Sequence, residues 1–106
     1  MRRAARRDGN DAIITEALRS AGFRVDDYAA VGHVPDKLVS RTLPTGKKWI
    51  CWVEIKTPKG SLTPRQQSFR EVFESRGEFY VARDPQSAVN DLWERFHSAL
   101  TITKNP

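Results

Sequence analysis

The sequence predicts an α/β domain with a mixed central sheet and helices on both faces. Three observations predict it. Residues 48–56 read as one long strand that is apolar on both sides: Ile50 and Trp52 on one, Cys51, Val53 and Ile55 on the other. A strand of that kind has to be covered above and below. Pro44-Thr45-Gly46-Lys47 reads as a turn, so the strand before it pairs antiparallel with the strand after it. A helix signal then separates the long strand from the next apolar run. That last strand should therefore return parallel to it, through a right-handed crossover. The order is α-β-β-β-α-β-α.

Each element has a local cause. Asp8 or Asn10 can cap a first helix running to about Ser20, with Ala12, Ile13, Ala17 and Leu18 as its apolar stripe. Gly22 supplies the left-handed stop. Residues 23–28 alternate Phe, Val and Tyr with polar side chains, as a strand with one wet face does. Residues 29–35 form a loop with Gly32 and His33. Residues 37–41 are a short strand carrying Leu38 and Val39. Thr63 caps a second helix, with Pro64 at its first position and Gln66 at its third. Phe69, Val72 and Phe73 are its expected buried stripe, and Gly77 ends it. Residues 78–83 hold Phe79, Tyr80 and Val81 as another strand. Asp84 caps a last helix from Pro85, with Ala88, Val89, Leu92, Trp93 and Phe96 turned inward. The tail, residues 101–106, is expected to fray.

A chain of 106 residues with 39% hydrophobic residues supports one domain, taken as residues 1–106, with one core. The net charge is +5, which favours polyanionic partners. Arg2, Arg3, Arg6 and Arg7 sit in an expected basic arm, residues 1–7. From Lys37 to Arg65 there are seven Lys or Arg and a single acid, Glu54. Cys51 is the only cysteine, which rules out an internal disulfide and a thiolate cluster within one chain. It lies in an apolar run, as a buried thiol does. No apolar run approaches the roughly 20 residues of a membrane span, and no signal-peptide core follows the basic start. The expected setting is intracellular and cytoplasmic.

The chemistry concentrates in Trp52-Val53-Glu54-Ile55-Lys56-Thr57-Pro58. Side chains two apart on a strand share a face. Glu54 and Lys56 therefore stand side by side where a buried strand ends, and such charges need a partner or a ligand. Pro35-Asp36 offers a second carboxylate at the start of a neighbouring strand. Two carboxylates and a lysine suit metal-assisted phosphodiester cleavage. Oxygen ligands suit Mg²⁺, and two His with one Cys do not build a zinc site. Each residue also has a plainer reading. Glu54 and Lys56 can be a surface pair, Asp36 a turn residue, Gln66 the return half of a capping box, and His33 a spectator.

Taken in order, Gly32-His33-Val34-Pro35-Asp36, Glu54-Ile55-Lys56-Thr57-Pro58 and Leu62-Thr63-Pro64-Arg65-Gln66, with Phe69 following, resemble the VRR-NUC family of the PD-(D/E)xK nuclease superfamily. The small stand-alone phage and bacterial form is the best match, over roughly residues 6–83. Arg7-Asp8-Gly9-Asn10-Asp11 resembles the family's first helix. A lone ExK is common by chance; the three motifs in this order are far more specific.

The resemblance implies a restriction-endonuclease-like core. It implies metal binding by Asp36, Glu54 and the backbone carbonyl of Ile55, with Mg²⁺ or Mn²⁺. Lys56 is implied to align the attacking water or stabilise negative charge, and Gln66 to lie close to the site. The family's first-helix acid is usually Glu. Here Asp11 is one methylene shorter, and Glu16 lies five residues on, so one metal or two stays open. The implied function is a metal-dependent DNA endonuclease acting on branched DNA such as Holliday junctions or flaps. A homodimer is implied too; independently of the resemblance, the apolar last helix is a candidate for its interface. A non-catalytic nucleic-acid-binding module and a sequence-specific restriction-type endonuclease are the alternatives. Nothing resembles a recognition helix or zinc finger, so contacts should go to phosphates. Lys37, Lys47, Lys48, Lys59 and Arg65, with Arg6 and Arg7, are the candidate contacts.

Overall fold

The turn at Gly46 (φ +92°) reverses the chain between β2 (Lys37–Thr42) and β3 (Lys48–Ile55). It fixes an antiparallel register in which Lys37 faces Val53 and Thr42 faces Lys48. β1 (Arg24–Asp27) pairs antiparallel with the outer edge of β2. β4 (Phe79–Ala82) pairs parallel with the second half of β3, Trp52 to Ile55. The sheet order is β1-β2-β3-β4, one mixed sheet of four strands. The computed structural model describes residues 9–104. Three α-helices complete it: α1 (Gly9–Ser20), α2 (Pro64–Phe73) and α3 (Pro85–Lys104), with a short 3-10 turn after α2 at Glu74–Arg76.

The two faces of the sheet are covered differently. Alternation along β3 sends Cys51, Val53 and Ile55 to the face that α1 and α3 cover. There they pack with Ile14, Leu18, Phe23, Val25, Val39, Ala82, Ala88, Leu92 and Phe96. Trp52 and Phe79 point to the other face, under α2, where Phe69 meets both rings at 5.7 and 6.1 Å. Tyr28 packs edge-on against Trp52 from the far side.

Helix ends follow their local chemistry. Thr63 Oγ1 accepts from the Gln66 amide and Gln66 Oε1 accepts from the Thr63 amide, a complete capping box with Pro64 inside it. Gly77 (φ +72°) closes the turn that follows α2. Asp84 accepts from the Ser87 amide at 2.8 Å and starts α3.

Several expectations need correction. The inward face of α1 is Ile14, Thr15 and Leu18, whereas Ile13 is 56% exposed and Ala12 lies outside. The true stripe is turned by one residue, because the core side is set by α3 and β1, not by the apolar count. Val72 of α2 is 55% exposed, and α2 buries no residue fully. Asn10 lies inside α1 rather than at its cap; Asp8 and the arm 1–7 are outside the described residues. Thr101 to Lys104 are helical, so the tail is regular at least that far; residues 105–106 are outside the described residues. The apolar stripe of α3 is spent on the chain's own core, so it does not offer a dimer interface. No helix among the described residues is long and apolar enough to cross a membrane.

Candidate active site at the ends of β2 and β3

β2 begins one residue after Asp36, and β3 ends one residue after Glu54. Because the strands run antiparallel, those two ends lie side by side. One step beyond the Lys37–Val53 pair, Asp36 stands across from Glu54. Asp36 Oδ2 accepts the backbone N–H of Ile55 at 3.1 Å, an amide that β2 is too short to pair. The side chain thus finishes the ladder and is fixed by it.

Glu54 is only 3% exposed, and its partners are polar. Gln66 Nε2 donates to Glu54 Oε2 at 2.9 Å while Gln66 Oε1 remains in the capping box. Both ends of that amide are therefore used, one for the helix and one for the carboxyl group. Lys56 Nζ stands 4.0 Å from the same Glu54 oxygen. Burial, then the charge of Asp36 and a hydrogen bond to it, push the Glu54 carboxyl up to about 8; Lys56 opposes this only partly. The buried Glu54 carboxyl thus favours its protonated form beside Asp36. That arrangement carries excess negative potential once the proton leaves, which is what a small oxygen-seeking cation relieves.

Asp36, Glu54, Lys56 and Gln66 thus meet in one place, with the Ile55 backbone between them. Asp11 does not join them. Its carboxylate lies 3.2 Å from Lys37 Nζ. Lys37 shares its face of the sheet with Val53, the side opposite Glu54. Among the described residues no group of three or more His, Cys, Asp or Glu side chains gathers as a metal cluster. Glu16 is exposed on α1 and accepts from Ser20, so it does not replace Asp11.

The expected phosphate contacts divide. Lys37 is 2% exposed and held by Asp11 and Asp27, both at 3.2 Å, so it is not a surface cation. Strand alternation turned it inward. Lys47 and Lys48 are exposed, but at the hairpin end of β3, seven and six residues before Glu54 and roughly 20 Å from it. Lys59 is exposed in the loop just after Lys56. Arg65 is exposed at the start of α2 and donates to the Gly32 carbonyl at 3.1 Å. His33 is exposed and lines a notch of about 70 Å³ with Pro35, Arg65 and Gln66, beside the carboxyl pair. Arg6 and Arg7 lie outside the described residues.

Two residues near the site were missed as part of it: Asn10 was read only as a helix cap and within the first-helix motif, and Arg83 only as the end of a strand. Asn10 donates to the carbonyls of Lys56 and Arg83 at 2.8 and 3.2 Å. Arg83 donates to the carbonyls of Thr57 and Gly60 at 2.9 and 2.6 Å. The available signal was Arg83's place just past a strand parallel to the one that carries Glu54.

No protein-family model matches the chain, and no curated protein matches it. A solved structure described as a VRR-NUC domain is similar to it, at 28% identity and a TM-score of 0.56. The similarity covers 79% of this chain and 89% of that one. With its motifs in family order on this mixed sheet, the chain has the fold of a VRR-NUC domain and resembles that family of the PD-(D/E)xK superfamily.

Proposed function

We propose that the chain is a metal-dependent DNA endonuclease that hydrolyses phosphodiester bonds. The observation that carries this reading is the meeting of Asp36, Glu54, Lys56 and Gln66 at the adjoining ends of β2 and β3. The fold of a VRR-NUC domain supports it.

The donor set fits a hard dication. Asp36, Glu54 and the Ile55 carbonyl would hold Mg²⁺, or Mn²⁺ in its place, and the bound ion would supply charge neutralisation at the phosphate and a more acidic water. The chain's own groups do the rest. Gln66 fixes the rotamer of Glu54 through its donated hydrogen bond. Lys56 brings a positive charge beside the carboxyl pair, where it can stabilise the charge that builds on the phosphate oxygens. Lys59 and Arg65 flank the site and attract the backbone phosphates of DNA.

We take branched DNA as the preferred substrate: among the described residues no element resembles a recognition helix, which favours reading shape over base sequence. Two copies would set two sites against two strands. Their interface would not use the apolar stripe of α3, which is internal.

The test is a panel of four-way junction, flap, fork, linear duplex and single-stranded DNA, with Mg²⁺, Mn²⁺ or chelator, beside Asp36→Ala. Metal-dependent cutting of branched forms that Asp36→Ala loses is the expected result. Binding without cutting in any metal would replace the reading with a non-catalytic binding module. Products mapped to a fixed base sequence would replace it with a restriction-type enzyme.

A further inference from the structure

Lys56 lies just past the end of β3, where the ladder no longer holds the chain beyond its own amide, which donates to the Ala82 carbonyl at 3.0 Å. The chain then turns through a tight loop, Thr57 to Gly60, closed by the Gly60 amide on the Thr57 carbonyl. This loop leans on the lysine. A Cβ built on Gly60 would lie 3.5 Å from both Cβ and Cδ of Lys56 and 3.2 Å from Thr57 Oγ1. The backbone at Gly60 is therefore a wall along the stem of the Lys56 side chain.

The wall is held by Arg83. One guanidinium nitrogen donates to the two carbonyls at the loop's ends, Thr57 and Gly60. Arg83 itself is anchored from behind. Asn10 Nδ2 donates to its carbonyl and to that of Lys56. Two side chains from α1 and the end of β4 thus occupy four carbonyls on the segments that carry and flank Lys56. None of these bonds points at a substrate. Arg83 has no carboxylate among its described bonds, and its donors are turned to backbone.

We infer that Arg83 is a positioning residue for Lys56: it clamps the Thr57–Gly60 loop against the lysine stem and so holds the ammonium beside Glu54. Asn10 is the second member of the clamp. The kinetic part of this inference rests on the endonuclease reading; the structural part does not.

The experiment uses the full chain as wild type, Arg83→Ala and Arg83→Lys. Backbone ¹⁵N relaxation is read at residues 56, 57, 59 and 60, since Pro58 has no amide proton, and metal-dependent cleavage is measured across substrate and salt concentration. In wild type the loop should be as rigid as the strands, with order parameters near 0.85. In Arg83→Ala they should fall below about 0.6 at residues 57, 59 and 60 while β3 stays rigid. kcat should fall by about 10²-fold, with KM and the salt dependence unchanged. Arg83→Lys keeps the charge but not the planar fork, and should fall between the two in both readouts.

A loop that stays rigid in Arg83→Ala overturns the clamp. So does a raised KM with a shallower salt slope and unchanged kcat, which would mark Arg83 as a phosphate contact. If wild type cuts nothing, the endonuclease reading fails by itself, and the relaxation data still decide the clamp.

Discussion

The two faces of the sheet use the same kinds of residue for opposite ends. Under α1 and α3, the sheet is closed by a continuous apolar core, and the one buried cation among the described residues, Lys37, is matched by two aspartates. Under α2, the cover is thin. It has aromatic contacts through Trp52, Phe69 and Phe79, no fully buried helix residue, and a carboxyl pair at its rim in which Glu54 is pushed toward its protonated form. The first face settles its charges internally. The second leaves them unsettled next to exposed cations, which is the condition for binding an ion and a polyanion. Stability and chemistry are thus divided between the two sides of one four-stranded sheet.

The sharpest way to break that comparison is at the carboxyl pair. Asp36→Ala should cut metal-dependent cleavage by about 10³-fold, about 4 kcal/mol in the barrier, with little effect on DNA affinity measured in chelator. A loss of affinity with unchanged turnover would place Asp36 outside the chemistry.

Packing gives the next contrast. Leu92→Ala, on the buried face of α3, should cost about 2–5 kcal/mol by urea unfolding, whereas Phe69→Ala, half-buried on α2, should cost about 1–2 kcal/mol. Equal costs would mean that α2 is as much a part of the core as α3.

The raised Glu54 carboxyl gives a pH signature. Folded Glu54 holds its proton up to about 8, against an ordinary value of 4.5. Between those values the folded state binds more protons than the unfolded one. Metal-free stability therefore falls as pH rises through that window. Glu54→Gln should abolish this slope and raise Tm at pH 8 by about 5 °C or more. Mg²⁺ affinity, read by calorimetry, should rise with pH toward 8, because the ion displaces the proton. A pH-independent affinity would count against a proton held by Glu54.

The smallest effects separate cations that face out from the one that faces in. Lys59→Ala and Arg65→Ala should each lower the salt slope of DNA binding by about one. Lys37→Met should leave that slope unchanged while lowering stability, because it removes the buried cation that lies 3.2 Å from both Asp11 and Asp27.

Much of this was legible along the chain. The capping box at Thr63 and Gln66, the turn at Gly46 and the stop at Gly77 are local chemistry, and local chemistry reads directly from neighbours in sequence. The pairing of Glu54 with Lys56 follows from alternation alone. What failed to read depended on partners distant in sequence. The stripe of α1 missed by one residue because its inward side is chosen by β1 and α3. Lys37 looked like a surface cation because the two aspartates that bury it lie on α1 and β1. Lys47 and Lys48 looked close to Glu54 because sequence spacing hides the length of an extended strand.

Neighbouring residues alone dictate the strand that ends in Glu54 and Lys56, the hairpin that leads into it and the cap beyond it, since these rest on alternation and on hydrogen bonds between residues a few positions apart. Packing of the whole chain was needed before Asp36 could finish β3's ladder, Gln66 reach Glu54, Lys37 be sealed with Asp11 and Arg83 close the loop beside Lys56. The reason is physical: those contacts join residues 12 to 26 positions apart, and the ladder register and helix placement that bring them together are properties of the packed sheet, not of any one segment.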